Sequence, residues 1–128
     1  MKIVKVVCGI IWSDGKIFIA KRKSDKSQGG FWEFPGGKIE NNEDPEIALT
    51  RELNEELGMQ VRVVKYFGKN IHHYETLSIE LIAYECQFIS ASFNLTDHDE
   101  YCFVSSKDLI NYKIAPADLF ILKGLLLN

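Results

Sequence analysis

The sequence has few cysteines, three in 128 residues, and they do not form a disulfide framework. Cys8, Cys86 and Cys102 lie far apart, without a CxxC pair, and an odd number cannot all pair within one chain. This pattern excludes a small disulfide-stabilised scaffold and argues against a zinc site. It favours reduced, packed thiols in a cytoplasmic protein.

A surplus of basic residues and a long hydrophobic run are also missing. The formal net charge is −3 and the basic residues are scattered, so no electrostatic footprint for a nucleic-acid polymer is visible. A free nucleotide needs only a few local positive groups and stays compatible with this balance. Lys5 interrupts the apolar N-terminus, and no run is long enough to span a membrane. Hydrophobic residues at 46% and charged residues at 26% favour one soluble globular domain over residues 1–128.

Apolar periodicity predicts short strands and two main helices. Strands are expected at residues 3–12, 17–20, 31–34, 61–67, 77–88 and 100–104. The sequence SDGK at residues 13–16 predicts a hairpin turn between the first two strands. Ser105 is expected to cap a short turn through a capping box with Asp108. Pro116 should open the final helix, which would pack on the sheet through Leu119, Leu122, Lys123 and Leu126. The elements predict an α/β (α+β) fold, with a mixed β-sheet sandwiched between helices.

Residues 37–59, GKIENNEDPEIALTRELNEELGM, carry the clearest local signals for a helix. Asp44 suits the N-cap position and Pro45 the first helical position. Gly58 follows the last apolar residue, where a left-handed residue ends many helices. One apolar stripe, which must face a core, is formed by Leu49, Leu53 and Leu57.

The next stripe of this helix is acidic and lacks an obvious partner. Glu52, Glu55 and Glu56 stand at i, i+3 and i+4, where like charges repel unless a cation joins them. Such runs are usually just solvated helix faces. The glycines before the helix favour a metal site instead, because glycine lets backbone carbonyls approach an ion. Carboxylates are also the hard oxygen ligands that Mg²⁺ or Mn²⁺ prefers.

The spacing of these residues resembles the complete Nudix box. Gly37 is followed after five residues by Glu43, and after seven more by RELNEELGM at residues 51–59, so every fixed position is filled. The resemblance implies the Nudix fold and a Mg²⁺ site, with Mn²⁺ as the alternative ion. The implied metal-binding groups are the carbonyl of Gly37 and the side chains of Glu52, Glu55 and Glu56. Glu52 would also activate water, Arg51 would ion-pair the glutamates and Glu43 would brace the turn. Which glutamate is the general base stays open.

Two further segments, WEFPGGKIE at residues 32–40 and IAPAD at residues 114–118, resemble the MutT-like Nudix hydrolases. The resemblance implies that Arg22 contacts a phosphate, Phe34 lines the base pocket and Asp118 contacts the base. A loop glutamate, Glu100, would reach the metal. From the residues alone, Arg22 is equally a solvated strand end, Phe34 a core residue, Asp118 a helix cap and Glu100 an isolated loop acid.

The base itself stays open between cytosine, guanine and 8-oxoguanine. An ionised aspartate only accepts hydrogen bonds, and all three bases offer donors. Near Thr76 the MutT group often carries a nucleotide-binding arginine, which this sequence lacks.

These features predict a Mg²⁺-dependent nucleoside triphosphate pyrophosphohydrolase that converts an NTP or dNTP, such as CTP or 8-oxo-dGTP, to a monophosphate and pyrophosphate. Such an enzyme would serve nucleotide-pool sanitation in the cytoplasm. The alternatives are hydrolysis of another nucleoside diphosphate derivative and a non-catalytic nucleotide sensor. Neither a nucleic-acid polymer nor a membrane is expected as a partner. Monomer and homodimer are both compatible with the sequence.

Overall fold

A computed structural model describes residues 2–127. Its strands are β1 (Lys2–Ser13), β2 (Lys16–Arg22), β3 (Trp32–Glu33), β4 (Gly36–Lys38), β5 (Met59–His73), β6 (Leu77–Ala91) and β7 (His98–Val104). The helices are α1 (Pro45–Leu57) and α2 (Leu119–Leu126), and two 3₁₀ segments span Ser106–Asn111 and Pro116–Asp118. No helix within residues 2–127 is long and apolar enough to cross a membrane.

The strands form one mixed sheet with the order β3-β2-β1-β6-β5, to which β4 adds on β1 and β7 on β2. The pair β1–β6 is parallel and the other pairs are antiparallel. Strand β1 lies in the middle and is covered on both faces. Its central residues 7–11 are therefore all buried, which explains their nearly uninterrupted apolar sequence.

A hydrophobic core lies on each face of this sheet. On one face α1 packs its apolar stripe, with Leu49, Leu53 and Leu57 all at most 1% exposed. The opposite face is covered by the C-terminal segments, whose buried residues include Leu109 and Ile121. The predicted mixed sheet between helices is confirmed. Helix α1 covers one face of the sheet, and its acidic stripe lies beside that sheet.

The predicted turn and helix boundaries at the N-terminal half are also confirmed. Asp14 and Gly15 have φ values of 51° and 76°, as a type I′ hairpin turn requires. The Asp44 carboxylate accepts hydrogen bonds from the amides of Glu46 and Ile47 at 3.0 and 3.4 Å. Gly58 ends α1 in the left-handed conformation, with φ 57°.

One C-terminal prediction is wrong and another is confirmed only in part. Ser105 makes no side-chain cap, and its buried hydroxyl has no hydrogen-bond partner among the described residues. In α2 Leu122 packs against the core as predicted, but the fully buried residue is Ile121, and Leu119 and Leu126 are 38% and 50% exposed. Helix α2 reads LFILKGLL, so it has more than one apolar stripe. Apolar spacing alone does not determine which of these stripes meets the sheet.

Candidate metal and nucleotide site

Strand β4 brings the main chain directly against the acidic face of α1. Gly36 and Gly37 pair with Cys8 and Val7 of β1. A Cβ on Gly37 would overlap the Glu52 carboxylate, and its distance to Glu52 Cγ would be 2.7 Å. The absence of a side chain at Gly37 is thus what lets the carboxylate of Glu52 lie against the strand.

Arg51 organises the carboxylates around this contact. Its Nε and Nη2 atoms donate to the two oxygens of Glu43 at 2.8 and 2.9 Å, a bidentate ion pair. Its Nη1 donates to Glu52 at 2.9 Å and approaches Glu55 at 3.4 Å. Nη2 also donates to the carbonyl of Lys38 at 3.0 Å. The expected ion pairing of Arg51 with the glutamates is present, so Arg51 joins β4, the following turn and α1 at one point.

Glu43 braces the turn as expected, since its Oε1 accepts from the amide of Glu40 at 3.0 Å. The hydrogen bonds from Arg51, together with that amide, lower the pKa of Glu43 to about 2. The folded-state pKa lies below the ordinary value of 4.5. The ion pair therefore stabilises the fold fully above about pH 4.5 and loses this effect as the pH falls towards 2.

We expect Glu43→Gln to lower the melting temperature at neutral pH, because glutamine cannot ion-pair with Arg51. The difference from wild type should shrink as the pH falls from about 4.5 towards 2. Melting curves recorded by circular dichroism across this range provide the measurement. Glu75→Gln, at an exposed position outside these contacts, is the control. A difference between Glu43→Gln and wild type that stays constant with pH would contradict the assignment.

Glu56 is the most perturbed carboxyl of the acidic face. Burial raises its pKa far above the ordinary range, and a hydrogen bond to Glu52 and the charge of Asp97 raise it further. Burial and these neighbours therefore favour the protonated form of Glu56 when no cation is near. A divalent cation beside the two carboxylates would displace that proton and remove the repulsion.

The oxygen atoms of the predicted metal ligands are only partly arranged to bind a hard divalent ion. Within residues 2–127, no three His, Cys, Asp or Glu side chains converge on one metal-binding point. Glu52 and Glu56 approach each other beside the main chain of Gly37, whereas Glu55 is 58% exposed and contacts Arg51. Two adjacent carboxylates next to an accessible strand are oxygen donors of the kind that Mg²⁺ and Mn²⁺ use. The assignment of Gly37, Glu52, Glu55 and Glu56 as metal ligands stays a prediction.

A cavity of about 560 Å³ opens directly from these carboxylates. The predicted site residues that line it are Arg22, Phe34, Gly37, Glu52, Glu56 and Asp118. Its apolar wall comes from β1 and β6, with Val6, Leu81 and Cys8 among the lining residues. The structure therefore brings the acidic face of α1 and the two sequence segments around Phe34 and Asp118 to one cavity.

Asp118 lies at the buried end of this cavity and is 6% exposed. It makes no side-chain cap for α2, so the capping alternative is not realised. Its Oδ2 instead accepts a hydrogen bond from the amide of Phe34 at 2.9 Å. Burial raises the pKa of Asp118 well above its ordinary value, and the charge of Glu33 adds to this. In its protonated form a carboxyl both donates and accepts hydrogen bonds, whereas the ionised form only accepts them.

Arg22 reaches the cavity but is already partnered. Its Nε donates to the carbonyl of Ser27 at 2.8 Å, and its Nη1 lies 3.4 Å from Glu33. Glu33 in turn contacts the buried ring of His98 at 2.8 Å. Neither Glu33 nor His98 was predicted to be a site residue. The alternation of Glu33 with Phe31, Trp32 and Phe34 predicted a short strand but not which of its side chains faces the cavity.

Glu100 is not brought to the cavity. It lies within β7, is 60% exposed and pairs with Lys21 at 3.4 Å. Near this part of the chain, the acidic residue close to Glu56 is Asp97, whose negative charge raises the pKa of Glu56. Asp97 also ion-pairs with Lys26 at 2.9 Å. Asp97 stands one position before β7, and its separation of 41 residues along the sequence from Glu56 left no local signal for this proximity.

Comparisons with known proteins agree with this geometry. A family model described as the NUDIX domain matches residues 6–124. The CTP pyrophosphohydrolase of Escherichia coli (strain K12) is 36% identical over 124 residues, covering 97% of this chain and 92% of that protein. The 8-oxo-dGTP diphosphatase of Proteus vulgaris is 51% identical over 81 residues, covering 62% of this chain and 72% of that protein.

Solved structures give the same result for the fold. The solution structure of the E. coli ORF135 protein has a TM-score of 0.83 and 34% identity, and the match covers 99% of this chain and 91% of that one. The MutT NUDIX hydrolase from Burkholderia pseudomallei has a TM-score of 0.86 at 22% identity, covering 97% and 98% of the two chains. A domain match over nearly the whole length, relatives of the same class and a Nudix box folded around Arg51 lead to one assignment: the chain belongs to the MutT-like Nudix hydrolases.

Proposed function

We propose that this protein is a nucleoside triphosphate pyrophosphohydrolase, which uses water and a divalent cation to convert an NTP or dNTP to a monophosphate and pyrophosphate. The observation that carries the proposal is the continuity of one cavity. Glu52 and Glu56 stand at one part of it, and Phe34 and Asp118 line another. A nucleotide in this cavity would meet a base-binding end and a metal-binding end at once.

The acidic face of α1 would hold the cation. Nudix hydrolases generally need a divalent metal, and we assign Mg²⁺ here because the available donors are hard oxygens, with Mn²⁺ as the alternative. When bound, the cation supplies neutralisation of phosphate charge and a more acidic water. Glu52 and Glu56 would bind it, Glu56 giving up its proton as it does so. Arg51 keeps Glu52 oriented, since its Nη1 donates to that carboxylate at 2.9 Å.

The base would be recognised at the buried end. The Asp118 carboxyl is held by the amide of Phe34, so its unused oxygen is available to a ligand. Burial favours the protonated form of this carboxyl, and in that form it would donate a hydrogen bond as well as accept one. Arg22 would exchange its weak contact with Glu33 for a phosphate oxygen. Related proteins bear the names CTP pyrophosphohydrolase and 8-oxo-dGTP diphosphatase, so both pyrimidine and oxidised purine nucleotides are candidates.

Steady-state kinetics on a nucleotide panel test the proposal. We expect turnover with Mg²⁺ for at least one of CTP, dCTP, 5-methyl-dCTP, dGTP and 8-oxo-dGTP, with monophosphate and pyrophosphate as products. The ratio of kcat/KM values across the panel then identifies the base and the sugar. Release of inorganic phosphate and a nucleoside diphosphate would contradict the reaction. Tight binding without turnover would instead favour the sensor alternative.

A further inference from the structure

His98, the first residue of β7, has a side chain that is completely buried. Its backbone pairs with Arg22 of β2, whereas Glu100 pairs with Lys21, so Asp99 is an extra residue in β7. A β-bulge of this kind changes the direction of the side chains beside it. The His98 ring is therefore buried, although Glu100, two positions further along the strand, is 60% exposed.

Only one of the two ring nitrogens of His98 has a partner. Nε2 lies 2.8 Å from Oε2 of Glu33, whereas Nδ1 is buried and has no hydrogen-bond partner within residues 2–127. A carboxylate only accepts hydrogen bonds, so Nε2 carries a proton and donates it to Glu33 in a hydrogen bond. A second proton on Nδ1 would form a buried N–H group without an acceptor, which is costly. The hydrogen bonding therefore favours a neutral ring with one target, Glu33.

The carboxylate of Glu33 receives two donors on the same oxygen. Nη1 of Arg22 lies 3.4 Å from Oε2, the atom that His98 also contacts. Among the described residues no donor contacts Oε1, and Glu33 lines the cavity that holds Glu52 and Glu56. Two donors on one oxygen limit the rotation of the carboxylate, as supporting hydrogen bonds do for a binding group. The other oxygen is thus available to a ligand.

Glu33 lies within electrostatic range of both ends of the cavity. Burial raises the pKa of Asp118, and the charge of Glu33 is the next cause. Burial, the hydrogen bond to Glu52 and the charge of Asp97 raise the pKa of Glu56, and Glu33 adds a smaller contribution. A nucleotide that extends from Asp118 to Glu56 would therefore pass close to the Glu33 carboxylate.

We propose that His98 is a positioning residue of the nucleotide site: it holds the Glu33 carboxylate in one orientation, so that Oε1 accepts a hydrogen bond from an N–H or O–H group of the bound nucleotide. The inference rests on the proposed function, because it needs a nucleotide in this cavity. The ring of His98 is buried and acts through Glu33 alone. A carboxylate that is oriented before the ligand arrives loses less freedom on binding, so binding is tighter.

Steady-state kinetics with the best substrate of the nucleotide panel test this role. His98→Leu removes the donor from a buried position. We expect KM to rise about tenfold, since a hydrogen bond to a charged group is weakened. The value of kcat should change by less than about threefold, because the contact is the same in the ground state and the transition state. His98→Gln places an amide donor near the position of Nε2 and should recover most of the loss.

Val104→Ala is the control for a general loss of stability in β7. Val104 is 8% exposed, lies at the other end of the strand and does not line the cavity. Its truncation should lower the melting temperature and leave KM unchanged. A rise in KM equal to that of His98→Leu would overturn the proposal, and so would an unchanged KM in His98→Leu.

The double variant Glu33→Gln/His98→Leu shows whether His98 acts through Glu33. In that case its KM should equal that of Glu33→Gln alone within about twofold, because the two residues form one unit. If the two single effects multiply instead, His98 acts by another route and the proposal is wrong.

Calorimetric binding of CTP and 8-oxo-dGTP in EDTA makes the two proposals distinguishable. Weaker binding to His98→Leu than to wild type, without turnover by either protein, would refute the reaction and retain the positioning role. Normal turnover with equal nucleotide affinity in wild type and His98→Leu would refute the positioning role alone.

Discussion

Glu56→Gln should reduce kcat by at least about a thousandfold, because the amide cannot contribute the charge that holds and balances a divalent cation. A loss of this size corresponds to about 4 kcal/mol of transition-state stabilisation, within the range that metal-bound charge supplies. The fold should be retained. In the metal-free protein Glu56 already keeps its proton, and a neutral amide of the same shape replaces it with little change in packing. We expect the melting temperature in EDTA to stay equal or to rise slightly.

The measurement is pyrophosphate release with saturating Mg²⁺, beside a calorimetric titration of the metal. Glu46→Gln is the matched control, since Glu46 lies on the exposed first turn of the same helix. It should keep wild-type turnover. Glu55→Gln should also lose most of its turnover if Glu55 moves from Arg51 to the metal. Wild-type turnover in the Glu56→Gln protein would refute the metal site on this face.

Alanine substitutions at the adjacent positions 36 and 37 should have different effects. Gly37→Ala should lower kcat, whereas Gly36→Ala should lower the stability of the fold. The new methyl group at position 37 would overlap the Glu52 carboxylate, which is the end of a flexible side chain and can move away. Moving it breaks the contacts of Glu52 with Arg51 and Glu56, so we expect kcat to fall about 10- to 100-fold, as for disrupted metal-site partners. The melting temperature should change little.

At position 36 the methyl group would meet the backbone instead. Its nearest neighbours are the carbonyl oxygen of Val7 and, at 2.7 Å, the Cα of Cys8. Backbone in the middle of the sheet cannot move aside without breaking the β1–β4 pairing. We expect a loss of about 3 kcal/mol in the free energy of unfolding, or roughly 10 °C in Tm. If both variants changed Tm and kcat by equal amounts, the whole of strand β4 would be shifting in each of them. That result would contradict the assignment of an activity effect to position 37 and a stability effect to position 36.

The sequence predicted helix α1 and the first hairpin because both depend on local interactions. The cap by Asp44, the left-handed Gly58 and the turn at Asp14 are each decided within a few residues of chain. The spacing of Glu52 and Glu56 on a single helix face is equally local, which is why the candidate metal site could be predicted. The rotation of α2 could not, since more than one of its faces is apolar.

The missed residues are held by contacts between distant parts of the chain. His98 meets Glu33 across 65 positions, and Lys26 joins its loop to the one that carries Asp97. The pairing of β2 with β7 brings these residues together. No short sequence pattern in either segment predicts this pairing. One further contact of Arg51 was not predicted. Arg51 was expected only to hold the glutamates, but it also joins the Lys38 carbonyl to Glu43, so it links β4 to the helix.

The cavity beside Glu52 and Glu56 is part of the hydrophobic core as well as of the candidate site. Cys8, Phe34, Leu81 and Ala117 line it, and the same four side chains belong to the hydrophobic core on that face of the sheet. A substitution that reshapes the cavity for another base also changes the packing of the core. Altered base preference should therefore evolve together with altered thermal tolerance. Laboratory selection for a new nucleotide would be expected to require a compensating, stabilising substitution elsewhere in the chain.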